Sequence, residues 1–399
     1  MEFTVAANYD PGLIPALAHY PVREVYGRLP SDVVGGGRPA YMAGATDKHR
    51  LEAYVAALRT NGIAFNYLLN SACQGNREWG RNWQRRLMRL LDELREMGIR
   101  DLTVSTPYLL ELVKARRPGF RVKAGIYAQI DTPRRARFWE NLGADAINLE
   151  SFSINRDFER LEAIREAVSC DLQLIPNHCC LPNCGFQPYH QNGFAHSSDG
   201  SKQLFVDYCF LRCTRERLQD PSLFLKAAWF RPEDAPLYEK LGITTLKLIE
   251  RDIPSAELLR RVRAYAERRY DGNLADLLLS YGFREPVKRP RFWTLRHFFR
   301  PLQAPPSELM DLLDTIRHQG MLFPARERPI TIDSTRLPSD FIASFRERDC
   351  SRLSCAACGY CERLAADAVV IDADFREEAL RLLERACRKL TGGGLWRVE

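Results

Sequence analysis

The run IAFNYLLNSACQGNREWGRNWQRRLMRLLDELREMGIRDLTVS, residues 63–105, holds one complete strand–helix–strand unit. Ile63 to Leu69 is a short apolar run with aromatic residues, as a buried strand requires. Trp83 to Met97 then carries apolar residues three and four apart, one face of a helix. Gly98 closes that helix, and Asp101 to Ser105 begins the next strand.

The same alternation extends in both directions. Strands are predicted at Phe3 to Ala7, Val22 to Tyr26, Ile63 to Leu69, Asp101 to Ser105, Val122 to Tyr127, Ala146 to Leu149, Leu172 to Pro176 and Thr244 to Ile249. Helices are predicted at Asp47 to Thr60, Trp83 to Met97, Thr132 to Leu142, Arg156 to Val168 and Ser255 to Arg268, with Gly98, Gly143 and Gly242 as C-terminal caps. Eight strands alternating with helices predict an α/β fold, a (β/α)8 TIM-like barrel rather than an open doubly wound sheet. A barrel of about 250 residues leaves room in the 399-residue chain for an appended segment.

The spacing breaks after Pro176. Residues 177–220 show little periodicity but contain His178, Cys179, Cys180, Cys184, His190, His196, Cys209 and Cys213. This is a cysteine-rich insertion after strand 7, at the rim where barrel enzymes place their chemistry. The expected domains are a barrel over 1–282, a basic, aromatic, proline-rich linker over 283–307, and a C-terminal extension over 308–399 ending in a helix from about Asp374 to Leu390. The linker mixes Arg284, Lys288, Arg289, Arg291, Arg296 and Arg300 with Phe292, Trp293, Phe298 and Phe299. Its aromatics are expected to pack on the neighbouring domain, with a single-stranded nucleic acid or lipid surface as the alternative.

Composition is that of a soluble globular protein, 45% hydrophobic and 27% charged, and the net charge of +7 favours anionic partners only weakly. There is no export signal and no apolar run of membrane-spanning length, so a cytoplasmic location is expected. Twelve cysteines in a reducing compartment point to metal or redox chemistry rather than to disulfides.

Two constellations stand out. CSRLSCAACGYC places Cys350, Cys355, Cys358 and Cys361 in one tight run, with Gly359 relieving the turn. Four soft ligands so close suit an iron-sulfur cluster; zinc, which more often uses two separated pairs, is the rival. The rim set, Cys180, Cys184, Cys209 and Cys213, is looser, and spacing alone leaves iron-sulfur, zinc and unliganded thiols open. Cys179 competes with Cys180, and Cys73 points to the same rim. Cys170 and Cys387 read as small buried hydrophobes.

At the strand ends, Glu150, Asn177 and His178 are candidate catalytic groups, and Asn70, Lys247 and Arg251 are candidates for holding substrate, the last two as a clamp for carboxylate or phosphate. Each has a structural alternative, such as Glu150 holding a helix N-terminus. No GxSxG, HExxH or comparable hydrolase pattern occurs.

The stretch WFRPEDAPLYEKLGITTLKLIERDIPSAELLRRVRAYAERRYDGNLADLL, Trp229 to Leu278, resembles the region after the cysteine loop in peptidase family U-thirty-two. NSACQGN around Cys73 and INLES around Glu150 resemble its barrel segments, so the likeness spans roughly residues 1 to 280. The family was named for collagenase-like peptidases, yet several members are iron-sulfur proteins of oxygen-independent hydroxylation in ubiquinone synthesis or RNA modification, with prephenate as the oxygen source. The resemblance implies a (β/α)8-like fold, a [4Fe-4S] cluster on the rim cysteines, and hydroxyl-oxygen transfer; peptide processing and non-catalytic electron transfer are the alternatives. It leaves the substrate open between small molecule, RNA and peptide, with a related second subunit or an electron donor as expected partners. One departure is plain: the family's His-Gly-Ala-Leu-Cys entry is replaced by Pro176, Asn177, His178 and Cys179 before Cys180. The C-terminal cysteine motif lies outside the family's common core and implies a branch with a second cluster.

Overall fold

The computed structural model describes residues 1–39, 42, 46–199, 205–251, 253–278, 292–318, 328–348, 350 and 354–396. Eight parallel strands close on themselves in chain order: β1 Glu2–Ala6, β2 Val22–Gly27, β3 Ala64–Leu69, β4 Asp101–Val104, β5 Arg121–Ala124, β6 Ala146–Asn148, β7 Asp171–Leu174 and β8 Thr245–Leu248. Closure is made by β1 against β8, with Phe3 opposite Leu246 and Val5 opposite Leu248. The expected barrel is therefore present, with every predicted strand in place. The fifth strand ends earlier than expected, because Gly125 hands the chain to a short 3-10 turn at Ile126–Ala128.

The helices follow local rules. Arg81–Glu96 buries Trp83, Leu87, Leu90, Leu91 and Leu94 along one face. Asp47 and Thr132 cap Lys48–Thr60 and Pro133–Asn141 by accepting from the Arg50 and Arg135 amides. Gly98, Gly143 and Gly242 take φ of +87°, +100° and +78°, the left-handed conformation of a helix-ending glycine. A helix at Pro107–Arg116 escaped the sequence reading.

The lower barrel interior is polar and hydrogen-bonded within itself. Glu24 accepts from Thr4 Oγ1 at 2.9 Å and Asn66 Nδ2 at 3.3 Å, and it pairs with Lys123. Thr103 Oγ1 donates to Asn66 Oδ1 at 2.7 Å, and Gln173 Nε2 donates to Thr4 Oγ1 at 2.6 Å. Burial pushes the Glu24 carboxyl up, but Lys123 and the hydrogen bonds outweigh it and hold the carboxyl below its usual range.

The insertion is more regular than its sequence suggests. It contains helices at Gln187–Ser197 and Tyr208–Gln219, the second capped by Asp207 accepting from the Phe210 amide. In the first, polar residues and Gly193 interrupt the apolar period, and in the second Cys209 and Cys213 do. The extension packs against the barrel through the same core: Phe341 is fully buried against Trp229, and Arg231 donates to Pro338 O at 3.1 Å and Ser339 O at 2.8 Å. Its strands β9 Ile330–Ile332 and β10 Val369–Ile371 pair antiparallel, and Ala373–Thr391 is its last helix. Of the predicted linker, Arg284, Lys288, Arg289 and Arg291 lie outside the described residues. Phe298 is buried as expected, whereas Phe292 and Phe299 are exposed.

Candidate functional site

At the C-terminal mouth of the barrel a cavity of about 300 Å³ is walled by the insertion on one side and strand ends on the other. That volume is at the small end of sites for organic ligands. Cys179, Cys180, Cys184, Cys209 and Cys213 all line it. Three come from the loop after β7 and two from Tyr208–Gln219, where a spacing of four puts both thiols on one helical face.

These thiols are held neutral. Burial pushes Cys180 and Cys213 up, with neighbouring thiols adding to it and Arg217 opposing. Burial likewise raises Cys179 to about 11 and Cys209 to about 12. Arg217, whose Nη1 donates to Cys179 O at 2.7 Å, is a cation set among them. Among the described residues no three His, Cys, Asp or Glu side chains converge as the ligands of a single metal ion would.

Cations enter from the strand side. Lys247, on β8, is 6% exposed, lines the cavity and sits with Nζ 4.2 Å from the Tyr26 ring centre. Among the described residues no carboxylate lies within ion-pair distance of it. Burial, with Lys123 and Arg251 nearby, pulls Lys247 down to about 7. Arg251 lines the cavity, and its carbonyl accepts from Arg38 Nη1 at 2.6 Å, while Arg38 pairs with Glu250. Asn70 also lines it and accepts from the Gly37 amide at 3.3 Å.

Two proposed catalytic groups are committed elsewhere. Asn177 donates to Ile249 O at 2.6 Å and Leu277 O at 3.0 Å and accepts from the Ile249 amide at 2.9 Å, so it clasps the chain after β7 to the end of β8. Glu150 accepts from Ser153 and from Gln187 Nε2 at 2.9 Å; it ties the loop after β6 to the insertion rather than facing the cavity. Both follow the rule that buried carboxylates and amides find hydrogen-bond partners among the nearest donors and acceptors. His178 does line the cavity, but Nε2 donates to Ser151 O at 2.7 Å and Nδ1 accepts from the Cys180 amide at 3.4 Å. Burial holds it neutral, down to about 3, so its place is to orient Cys180. Cys73 is not among the lining groups; its sulfur accepts from the Gly75 amide.

Sequence reasoning missed Arg38, Tyr127, Arg217, Asp207 and Glu250 as lining groups. A signal for the first was present: GGGRP, residues 35–39, marks a close backbone approach. A Cβ at Gly37 would stand 2.3 Å from the Tyr127 ring, and Tyr127 donates to Gly37 O at 3.1 Å. His190 Nε2 lies 2.9 Å from Asp207 Oδ1, an ion-pair distance without hydrogen-bond alignment.

Cys350, Cys355, Cys358 and Cys361 are not among the residues lining the mouth. Cys355–Cys358 forms one helical turn, Gly359 at φ +59° reverses the chain, and Tyr360–Ala368 follows. Among the described residues no helix is long and apolar enough to cross a membrane.

No family model matches the chain. A curated protein of Methanocaldococcus jannaschii, named an uncharacterized protease, is 31% identical over 255 residues, 64% of this chain and 75% of that one. The solved structure of a U32 peptidase aligns with a TM-score of 0.48 at 20% identity, covering 64% of this chain and 95% of that one. A D-psicose 3-epimerase of Clostridium cellulolyticum aligns with a TM-score of 0.30 at 13% identity, covering 50% of this chain and 82% of that one.

Proposed function

The chain belongs to peptidase family U32, and from that premise we propose that its barrel mouth is an iron-sulfur-dependent redox site for an anionic substrate. The observation that carries this is the meeting of five thiols and Arg217 in one cavity with Lys247, a buried lysine that has no carboxylate within ion-pair distance among the described residues. Cys180, Cys184, Cys209 and Cys213 would hold a [4Fe-4S] cluster, with Cys179 the adjacent competitor. A bound cluster supplies one-electron chemistry at the mouth, the kind that oxygen-independent hydroxylation from an organic donor calls for.

The chain's own residues bind and exclude. Lys247 regains its proton when a carboxylate or phosphate enters, while Arg251 adds positive field and Arg38, tied to Glu250, holds the Arg251 backbone. Phe152, Phe186, Phe194 and Phe210 keep water from the far wall. His178 fixes the Cys180 backbone and, held neutral, brings no charge of its own.

Hydrolysis of peptides is the second reading, favoured by the printed name of the relative and by His190 beside Asp207 among the thiols. Against it, a cysteine nucleophile needs a lowered thiol pKa, and every lining thiol with a shift is raised. Anaerobic purification decides between them. The redox site predicts iron and acid-labile sulfide that Cys209→Ser with Cys213→Ser removes from the mouth. A metal-free chain that cleaves unstructured peptides, and loses cleavage in His190→Ala, overturns it.

A further inference from the structure

Side chains along β8 alternate between the barrel interior and the surrounding helices. Leu246 and Leu248, both fully buried, take the outward positions, whereas Thr245 lines the small lower cavity and Lys247 the cavity at the mouth. Lys247 is thus an interior residue held on a strand. Its Nζ lies over the Tyr26 ring, and Tyr26 is fixed in turn by donating to Leu248 O at 3.2 Å. Leu68, Ile126, Ile175 and Ile249 line the same space. Glu24, in the layer below, is already engaged by Lys123, Thr4 and Asn66. Among the described residues neither a carboxylate nor a hydrogen-bond acceptor claims Lys247 Nζ.

An ion pair would pin such a lysine as ammonium, but an apolar place among other cations leaves it a free amine with a lone pair. Packing alone does not need the nitrogen, since methionine fills similar space without the cost of burying a polar group. Arg251 lines the same cavity from just beyond the end of β8, and among the described residues no carboxylate pairs with its guanidinium. An amine and a guanidinium facing one cavity of about 300 Å³ select a small ligand with two features. The amine suits an electrophilic carbonyl, and the guanidinium suits a carboxylate.

We propose that Lys247 is a covalent catalytic residue, which forms an imine with a short 2-oxo acid whose carboxylate rests on Arg251. This depends on the mouth being an anion site, and not on the cluster. The Nζ lone pair adds to the carbonyl carbon, and one amine proton passes to the carbonyl oxygen. The carbinolamine then takes a proton from solvent and loses water. A C=N bond has replaced C=O, nothing is oxidised or reduced, and the iminium puts positive charge beside the bound carboxylate. That iminium draws electrons from the neighbouring carbon, which is what allows a C–H or C–C bond there to break.

The test incubates the full chain, prepared without oxygen, with pyruvate and sodium cyanoborohydride, which reduces an iminium to a stable amine. Intact mass and a peptide map are read. A single reduced pyruvate per chain should map to Lys247, and it should be lost in Lys247→Met and in Lys247→Arg. Labelling should rise with pH through about 7 rather than through the ordinary 10.5. Acetone, which lacks the carboxylate, should label about tenfold less than pyruvate, the loss of one charge-assisted contact. Arg251→Met should weaken pyruvate labelling to a similar degree. Label scattered over other lysines, or undiminished in Lys247→Met, overturns the proposal. If pyruvate is not trapped while phosphate still drives proton uptake in the wild type and not in Lys247→Met, the imine falls and the anion site stands. If phosphate also has no effect, both fall.

Discussion

Lys247 carries the most exposed bet on how the mouth works. The folded chain holds it near 7 against an ordinary 10.5, because burial and the nearby Lys123 and Arg251 disfavour its charge. Between those two values the unfolded chain binds more protons than the folded one, so stability rises with pH across that window. The charge-burial cost is about 4 kcal/mol at pH 7 and about 2 kcal/mol at pH 9, for a lysine lowered from 10.5 to about 7. Lys247→Met removes that cost and keeps the packing on Tyr26. Urea unfolding from about pH 6 to pH 10 should therefore show the variant more stable at neutral pH, with its advantage shrinking steadily as pH rises. Inorganic phosphate or a simple dicarboxylate should stabilise the wild type at neutral pH with proton uptake, and the variant much less. A difference between the two proteins that stays constant with pH refutes both the unpaired buried charge and its use as an anion site.

Three further outcomes follow from the geometry. Arg231→Ala leaves Asp234 buried without its partner and frees Pro338 O and Ser339 O, so it should cost about 3–5 kcal/mol and render the extension sensitive to limited proteolysis. Gly37→Ala drives a Cβ into Tyr127 and should cost about 1–3 kcal/mol in thermal unfolding, whereas Gly119→Ala, with nothing within 4 Å, should cost far less. Cys180→Ser should strip iron from the mouth of anaerobically prepared protein, while Cys73→Ser, whose sulfur accepts from the Gly75 amide outside the cavity, should retain it.

What the residues in order settle by themselves is whatever depends on near neighbours along the chain. Strand and helix periods, the caps at Asp47 and Thr132 and the left-handed turns at Gly98, Gly143 and Gly242 are local, so eight strands and a barrel were legible. The Trp229 to Leu278 stretch likewise announced the family, because its residues are contiguous. The roles of Glu150 and Asn177 were not legible, since each is decided by a donor or acceptor brought in from a distant segment: Gln187 for one, Ile249 and Leu277 for the other. The same holds for the thiols: nothing in their spacing tells that Cys179 to Cys213 share a cavity while Cys73 stays out. Tertiary packing alone set Lys247 in a buried place beside Lys123 and Arg251, because desolvation and field are properties of a place in space, summed over every segment that reaches it.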